Sequence, residues 1–154
     1  IDLKGNPHAA QGLVEADYLI VQPAFAAPRI AEYLPSLVEP IERDLLHCLA
    51  GPVAEAMYKG VPPDSVLGGS GRGDRCRGHE LIRLLPAHKL LDAEPLAIAR
   101  SRTLLRRYWA AVTAVADLLQ ARGTVDGEAV CALLSAVTGE PPLRRSGDLH
   151  SLDR

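Results

Sequence analysis

The chain has 154 residues, a hydrophobic fraction of 47% and a net charge of −2 at pH 7. A chain of this length typically forms one domain and buries roughly 68–70% of the surface that its unfolded form exposes. The near-neutral charge and an aromatic content of 4% exclude the basic surface and the stacking platform that nucleic-acid binding proteins use. We therefore expect no nucleic-acid partner.

Cysteine usage and hydropathy indicate the compartment. The three cysteines are widely spaced and form no CxxC pair, which argues against a disulfide framework or a structural zinc site and favours a reducing environment. No stretch approaches the roughly 20 apolar residues that a transmembrane helix needs, and the first residues lack the pattern of a signal peptide. The sequence predicts a cytoplasmic protein without a membrane segment.

The first 25 residues predict a small β element. Residues 12–14 and 18–22 have the composition of two short strands, and Pro23 ends the second. We therefore expect a β-hairpin or small sheet that covers part of the core.

Residues 36–59 predict a long amphipathic helix, because apolar residues recur every four positions along it. Ser36 and Glu39 have the spacing of a capping box. Pro52 predicts a kink inside the helix, and Gly60 predicts its C-terminal end.

A glycine-rich turn follows, from Gly68 to Gly73, and the helical pattern resumes at Asp74. Asp is among the best N-cap residues, where it contributes about 1 kcal/mol, so helix capping is one interpretation of Asp74. The backbone N–H groups of such a turn also allow an anion or nucleotide site. Because the turn lacks the GK[ST] ending of a P-loop, this site is kept as a third alternative.

The rest of the apolar pattern predicts one long helix, from Asp92 or Glu94 to Arg122, and a last short helix that starts at residues 124–128. The predicted fold is mainly α. It is a single helical domain over residues 1–140, with the β element at 1–25 and the helices over 36–137. A flexible polar tail follows at 141–154.

The segment His79-Glu80-Leu81-Ile82-Arg83 differs by one ligand from the HExxH signature of zinc hydrolases. Arg83 occupies the second ligand position, where a guanidinium cannot replace an imidazole. We interpret His79 and Glu80 as surface residues of a helix. His47, beside the apolar stripe of the long helix, is interpreted as a half-buried residue.

Four arginines lie close together in the predicted long helix: Arg100, Arg102, Arg106 and Arg107. A nucleic-acid patch would need overall basicity or interleaved aromatic residues. Since the chain has neither, we interpret the cluster as a solvated face.

Three segments together resemble the peptidase domain of FtsH-type AAA+ zinc metalloproteases and its small stand-alone relatives. Leu49–Ala56 is similar to the LAGRAAEE-type helix of that family, and Gly68–Asp74 is similar to its GASND-type turn. Leu104–Leu134, with its ThrValAspGlyGluAlaVal run, is similar to the closing helices. The resemblance covers about residues 40–137.

The resemblance implies that Asp74 is a zinc ligand, the third of the family's set. The other two ligands and the catalytic Glu belong to an HExxH helix, which this chain lacks, as it lacks the ATPase module and the membrane anchor. Residues 1–25 are similar to the strand region that follows the HExxH helix in the family.

Two explanations stay open. The chain is a fragment of a zinc metallopeptidase that acts on a polypeptide substrate, which the start at Ile1 rather than Met favours, or it is a natural non-catalytic relative. Zinc is expected as a cofactor only where the HExxH segment is supplied, because one carboxylate cannot hold a catalytic zinc. Residues 1–154 alone are therefore expected to be inactive. The alternative function is a non-enzymatic helical module that binds a protein partner or forms a homo-oligomer through its Ala/Gly-rich faces.

Overall fold

The computed structural model describes residues 27–139. These residues form seven α-helices connected by turns, and no β-strand occurs among them. The predicted mainly helical class is confirmed. The β element expected at residues 1–25 and the tail expected at 141–154 lie outside the described residues.

The helices are α1 (Ile30–Tyr33), α2 (Val38–Lys59), α3 (Pro63–Leu67), α4 (Arg72–Ile82), α5 (Ala93–Arg107), α6 (Trp109–Arg122) and α7 (Gly127–Thr138). Short 3₁₀ turns occupy Pro35–Leu37 and Ala87–Lys89. The described residues up to Arg107 belong to one compact unit, the core unit, and those from Tyr108 onward belong to a second, the C-terminal unit. The prediction of one domain stays a prediction, since compact units of a helical chain can belong to one domain.

Helix α2 is the centre of the core unit and packs against α3, α4 and α5. Ile41, Leu45, Leu49 and Val53 are each at most 1% exposed. Their spacing of four residues places them on one face of the helix. The buried stripe predicted from the sequence is confirmed.

Different features determine where α2 begins and where it ends. The predicted capping box is wrong, because Pro35 starts a 3₁₀ turn that leads directly into α2 and so places Ser36 inside a helical turn. The N-cap is Leu37, without a side-chain hydrogen bond. At the other end Gly60 adopts the left-handed conformation, with φ 66°, and its N–H donates to the carbonyls of Ala56 and Met57. The predicted stop is confirmed.

Two glycines bring α4 close to α2. A Cβ built at Gly71 would lie 2.8 Å from Cβ and Cγ of Pro52, and one built at Gly78 would lie 3.1 Å from Cδ1 of Leu45. Pro52 is buried, and α2 continues through it. Packing at Gly71 thus opposes the roughly 3 kcal/mol penalty of a proline inside a helix.

The long helix predicted from Asp92 or Glu94 to Arg122 is wrong as a single element. It ends at Arg107 and resumes at Trp109, with Tyr108 between them at φ −107° and ψ 19°. A break of one residue leaves the helical period of the apolar residues nearly intact on each side, so the pattern does not reveal it.

In the C-terminal unit α6 and α7 pack against each other. The carboxylate of Asp126 caps α7 by accepting a hydrogen bond from the Ala129 N–H at 2.7 Å. The last short helix predicted from the sequence is confirmed, and its start depends on a local cap.

Ion pairs hold α5 to its neighbours in the core unit. In α2, Oε1 of Glu42 lies 2.6 Å from Nζ of Lys89, in the 3₁₀ turn before α5. Its Oε2 lies 3.4 Å from Nη1 of Arg100 in α5. Glu94 of α5 accepts two hydrogen bonds from Arg75 of α4, at 2.8 and 3.2 Å. Since these side chains are partly shielded from water, the pairs contribute more than fully solvated ones.

The glycine at position 71 gives a steric prediction. We expect Gly71→Ala to lower the free energy of unfolding by about 1–3 kcal/mol, because the new methyl group must displace Pro52 in a packed site. The control is Gly51→Ala, at an exposed position of α2 where nothing lies within 4 Å of a Cβ. That change should raise stability by about 0.5–1 kcal/mol. Urea denaturation measures both, and equal effects would contradict the proposed contact.

The Glu42 ion pairs give a prediction for pH dependence. The hydrogen bond from Lys89 holds the pKa of Glu42 below its ordinary value, although burial opposes this. A lowered folded-state pKa adds stability above the unfolded-state pKa, and this stability is lost as the pH falls through the folded-state pKa. We expect Glu42→Gln to destabilise the fold by about 0.5–1 kcal/mol at pH 7 and to have little effect in acid.

Glu39→Gln is the matched control, because Glu39 pairs with Arg43 on the same helix and its side chain is 80% exposed. It should change stability less than Glu42→Gln at pH 7. A Glu42→Gln effect that persists at acid pH would show that the ion pairs are not its cause.

Candidate functional site

Asp74, the acid singled out in the sequence, is the third residue of α4 and does not cap it. The N-cap is Gly71, and that cap has no side-chain hydrogen bond. The capping interpretation is therefore wrong, because the N-cap of α4 lies three residues before Asp74. The carboxylate of Asp74 lies in the first turn, where the helix dipole favours a negative charge.

The glycine-rich turn before α4 is a packed connection. The N–H groups of Gly68, Gly69, Gly71 and Arg72 donate to carbonyl oxygens within residues 64–69, at 2.9–3.1 Å. These amides are therefore occupied by the chain itself. The anion site considered for this turn therefore loses these four donors.

The same turn is attached to α2. The hydroxyl of Ser70 donates to Oε1 of Glu55 at 2.9 Å, and Gly71 contacts Pro52. Both contacts lie within four residues of Asp74. The backbone that carries the Asp74 carboxylate is thus held against a rigid helix rather than carried on a mobile loop.

Asp74 belongs to a polar group between α2 and α4, which we call the Asp74 cluster: Asp44, Cys48, Asp74 and Arg77. Burial raises the pKa of the Cys48 thiol; Asp74 and Asp44 raise it further, and Arg77 lowers it. Burial likewise raises the pKa of Asp74, although its side chain reaches the surface. Asp44 is only 1% exposed.

The Asp74 carboxylate makes no ion pair or hydrogen bond with another residue of 27–139. It is therefore sterically and electrostatically available as one metal ligand. However, no three His, Cys, Asp or Glu side chains in this range are arranged to hold a metal ion. Because a zinc site takes three or four protein ligands, the described residues do not form one by themselves.

The two histidines considered in the sequence, His47 and His79, lie elsewhere on the surface. His79 is an exposed residue of α4, and its Nε2 lies 3.5 Å from Oε1 of Glu94, so its interpretation as a surface residue is confirmed. His47 is exposed on α2 rather than half-buried. Neither histidine joins Asp74 in a ligand set.

Sequence reasoning missed the neighbours of Asp74. Asp44 is an acid within the buried face of α2, and this interruption of an apolar stripe was a signal that could have been used. Cys48 follows it by one helical turn. Arg77 carries no such signal, because its proximity depends on how α4 packs on α2.

Comparison with known proteins returns no relative. No family model matches the chain, and no curated protein or solved structure is significantly similar to it. Within residues 27–139, no helix is both long and apolar enough to cross a bilayer. Function is therefore inferred from the residues of the site.

The thiols give a prediction that probes the Asp74 cluster. Cys76 is exposed, Cys131 is half-buried and Cys48 is buried. Because the thiolate is the reactive form, we expect Ellman's reagent to modify Cys76 first and Cys48 only after unfolding. Cys76→Ser should remove the fast phase, and Cys48→Ala should remove the phase seen in denaturant. Fast modification of Cys48 in the folded chain would contradict the burial of the cluster.

Proposed function

We propose that the chain is part of a zinc-peptidase domain of the FtsH type, in which Asp74 supplies one carboxylate ligand. The observation that carries the proposal is that the Asp74 carboxylate has no hydrogen-bond or ion-pair partner among residues 27–139. It also does not cap α4. A carboxylate that is held in place without such a partner is a candidate for binding.

The scaffold around Asp74 supports this role. Gly71 lets the turn before α4 pack on Pro52, and Ser70 adds a hydrogen bond to Glu55. Metal ligands bind best when their elements are rigid, because little conformational entropy is then lost. The partly desolvated carboxylate would also gain more from a cation than a fully hydrated one.

The other ligands have to come from outside these 154 residues, since no HExxH occurs in them. A zinc ion in such a site supplies Lewis-acid chemistry, and the part proposed for this chain is to hold it through Asp74. Residues 1–154 alone are expected to hydrolyse no peptide.

The proposal is tested on the coding sequence upstream of Ile1 and on the protein that it encodes. An in-frame HExxH is expected within a short distance. In that longer protein, Asp74→Asn should weaken zinc binding by about 10–100-fold or abolish it, measured by competition with a chromogenic chelator. The matched control is Asp117→Asn, at an exposed aspartate of α6, which should leave the affinity unchanged.

The free energy of unfolding of Asp74→Asn distinguishes a metal ligand from an acid that stabilises the fold. Since burial raises the pKa of Asp74, ionisation of this carboxylate disfavours folding as the pH rises through that pKa. Asp74→Asn should therefore change the free energy of unfolding by less than about 0.5 kcal/mol, or raise it slightly. A start codon directly before Ile1, or a loss near the ~1 kcal/mol of a cap with zinc binding intact, would refute the proposal.

A second candidate, a helical module that binds a partner protein, is favoured by exposed apolar side chains. Tyr33 and Tyr58 are each 81% exposed, and Leu91 is 91% exposed. Large apolar side chains that are left in water commonly mark interaction surfaces when they border a cleft or patch. Val61, which is 38% exposed, lines a cleft of the core unit.

A further inference from the structure

A cleft of about 370 Å³ opens in the core unit where α2 ends. This volume lies within the range of roughly 300–1,000 Å³ that is common for binding sites. One wall comes from the end of α2 and the turn after it, and the other from α5. The lining residues are Ala56, Met57, Gly60, Val61, Pro63, Arg102 and Arg106.

The α5 wall carries two arginines that have no acidic partner among residues 27–139. Arg102 and Arg106 are four residues apart and both are exposed, so they lie on one face of the helix. Neither makes an ion pair or hydrogen bond with any residue of 27–139. Like charges at this spacing repel each other, and an acidic ligand would relieve that repulsion.

Stabilisation of the helix end explains only one of the two arginines. Arg106 lies in the last turn of α5, where the helix dipole favours a cation. Arg102 does not lie in that turn. Arg100, by contrast, pairs with Glu42 at 3.4 Å, so acids reach this helix elsewhere but not at the cleft.

The opposite wall is apolar. Met57, Val61 and Pro63 line it, and Val61 is 38% exposed. A methionine side chain adapts to partners of different shape. A free inorganic anion would pair with the arginines and leave this wall in water, and among residues 27–139 no aromatic side chain lines the cleft to stack on a nucleic-acid base. A ligand that carries carboxylates next to an apolar side chain would satisfy both walls.

We propose that this cleft binds an acidic segment of a partner protein. Carboxylates of the segment pair with Arg102 and Arg106, and an adjacent apolar side chain covers Met57 and Val61. Arginine suits this task because its planar fork binds carboxylates in a bidentate manner. The proposal deepens the second candidate function and uses no residue of the Asp74 cluster.

The geometry also predicts the spacing of the acids. Four helical residues advance about 6 Å along the axis of α5. Carboxylates at positions i and i+4 of a helix, or at i and i+2 of an extended segment, have a similar separation. Bound sequences should therefore show acids at one of these spacings around a Leu, Ile, Met or Phe.

The experiment is a selection of phage-displayed random dodecapeptides on the full 154-residue chain, with counter-selection on Arg102→Gln/Arg106→Gln. Enriched peptides are synthesised with a fluorescent label and titrated by anisotropy. We expect the double variant to bind them about tenfold or more weakly, with a steep dependence on salt. Val61→Ser should weaken binding through the apolar wall, and Asp74→Asn should not.

The matched control is Arg72→Gln/Arg122→Gln, which removes two exposed arginines that do not line the cleft. It should weaken binding by less than about twofold. Equal losses in the two double variants would show general electrostatic attraction and overturn the site. Circular dichroism confirms that each variant is folded.

Other outcomes separate the cleft from the broader function. If no peptide is enriched, both the cleft and the interaction module fail. If enriched peptides lack acids, or bind Arg102→Gln/Arg106→Gln as tightly as the natural chain, the cleft fails and the module stands. A self-association that disappears in this variant would make a second copy the occupant. Equal competition by a single-stranded oligonucleotide or by inorganic phosphate would also overturn the peptide assignment.

Discussion

The core unit depends on the close approach of α4 to α2. That approach exists because Gly71 and Gly78 carry no side chain where a Cβ would meet Pro52 and Leu45 at 2.8 and 3.1 Å. The contact stabilises a proline that would otherwise disfavour a long helix. It also determines where α4 starts, and so places Asp74 in a first turn instead of at a cap. The availability of that carboxylate is a consequence of helix packing.

Helix α2 supports two distinct surfaces. Near its middle, Cys48 and Asp44 face residues of α4 and form the Asp74 cluster. At its C-terminal end, the chain that leaves Gly60 forms the apolar wall of the cleft that Arg102 and Arg106 complete. The ion pairs of Glu42 hold α5 against α2, and this attachment brings the two arginines to the cleft. The proposed metal ligand and the proposed peptide-binding cleft therefore share no residue.

Elements with a local cause could be predicted from the sequence. The buried face of α2 follows from the spacing of its apolar residues, the end of α2 from Gly60 and the start of α7 from Asp126. Asp74 could be singled out, but its role as a cap was inferred incorrectly. The capping box at Ser36 and the unbroken helix through Tyr108 were wrong for a related reason. The two N-caps lie one residue from Ser36 and three residues from Asp74, and one non-helical residue divides the long helix, all without changing the apolar period.

The sequence by itself determined a mainly helical chain, because helical periodicity and glycine stops act over a few residues. It also determined which side chains can bind a metal or an anion. Only the tertiary structure decided which of them are available. The N–H groups of Gly68, Gly69, Gly71 and Arg72 are occupied by carbonyls of residues 64–69, and His79 pairs with Glu94. Arg100 pairs with Glu42, whereas Arg102 and Arg106 pair with no residue of 27–139. The pairing of His79 and of Arg100 depends on contacts between residues far apart in the chain, which no local pattern encodes.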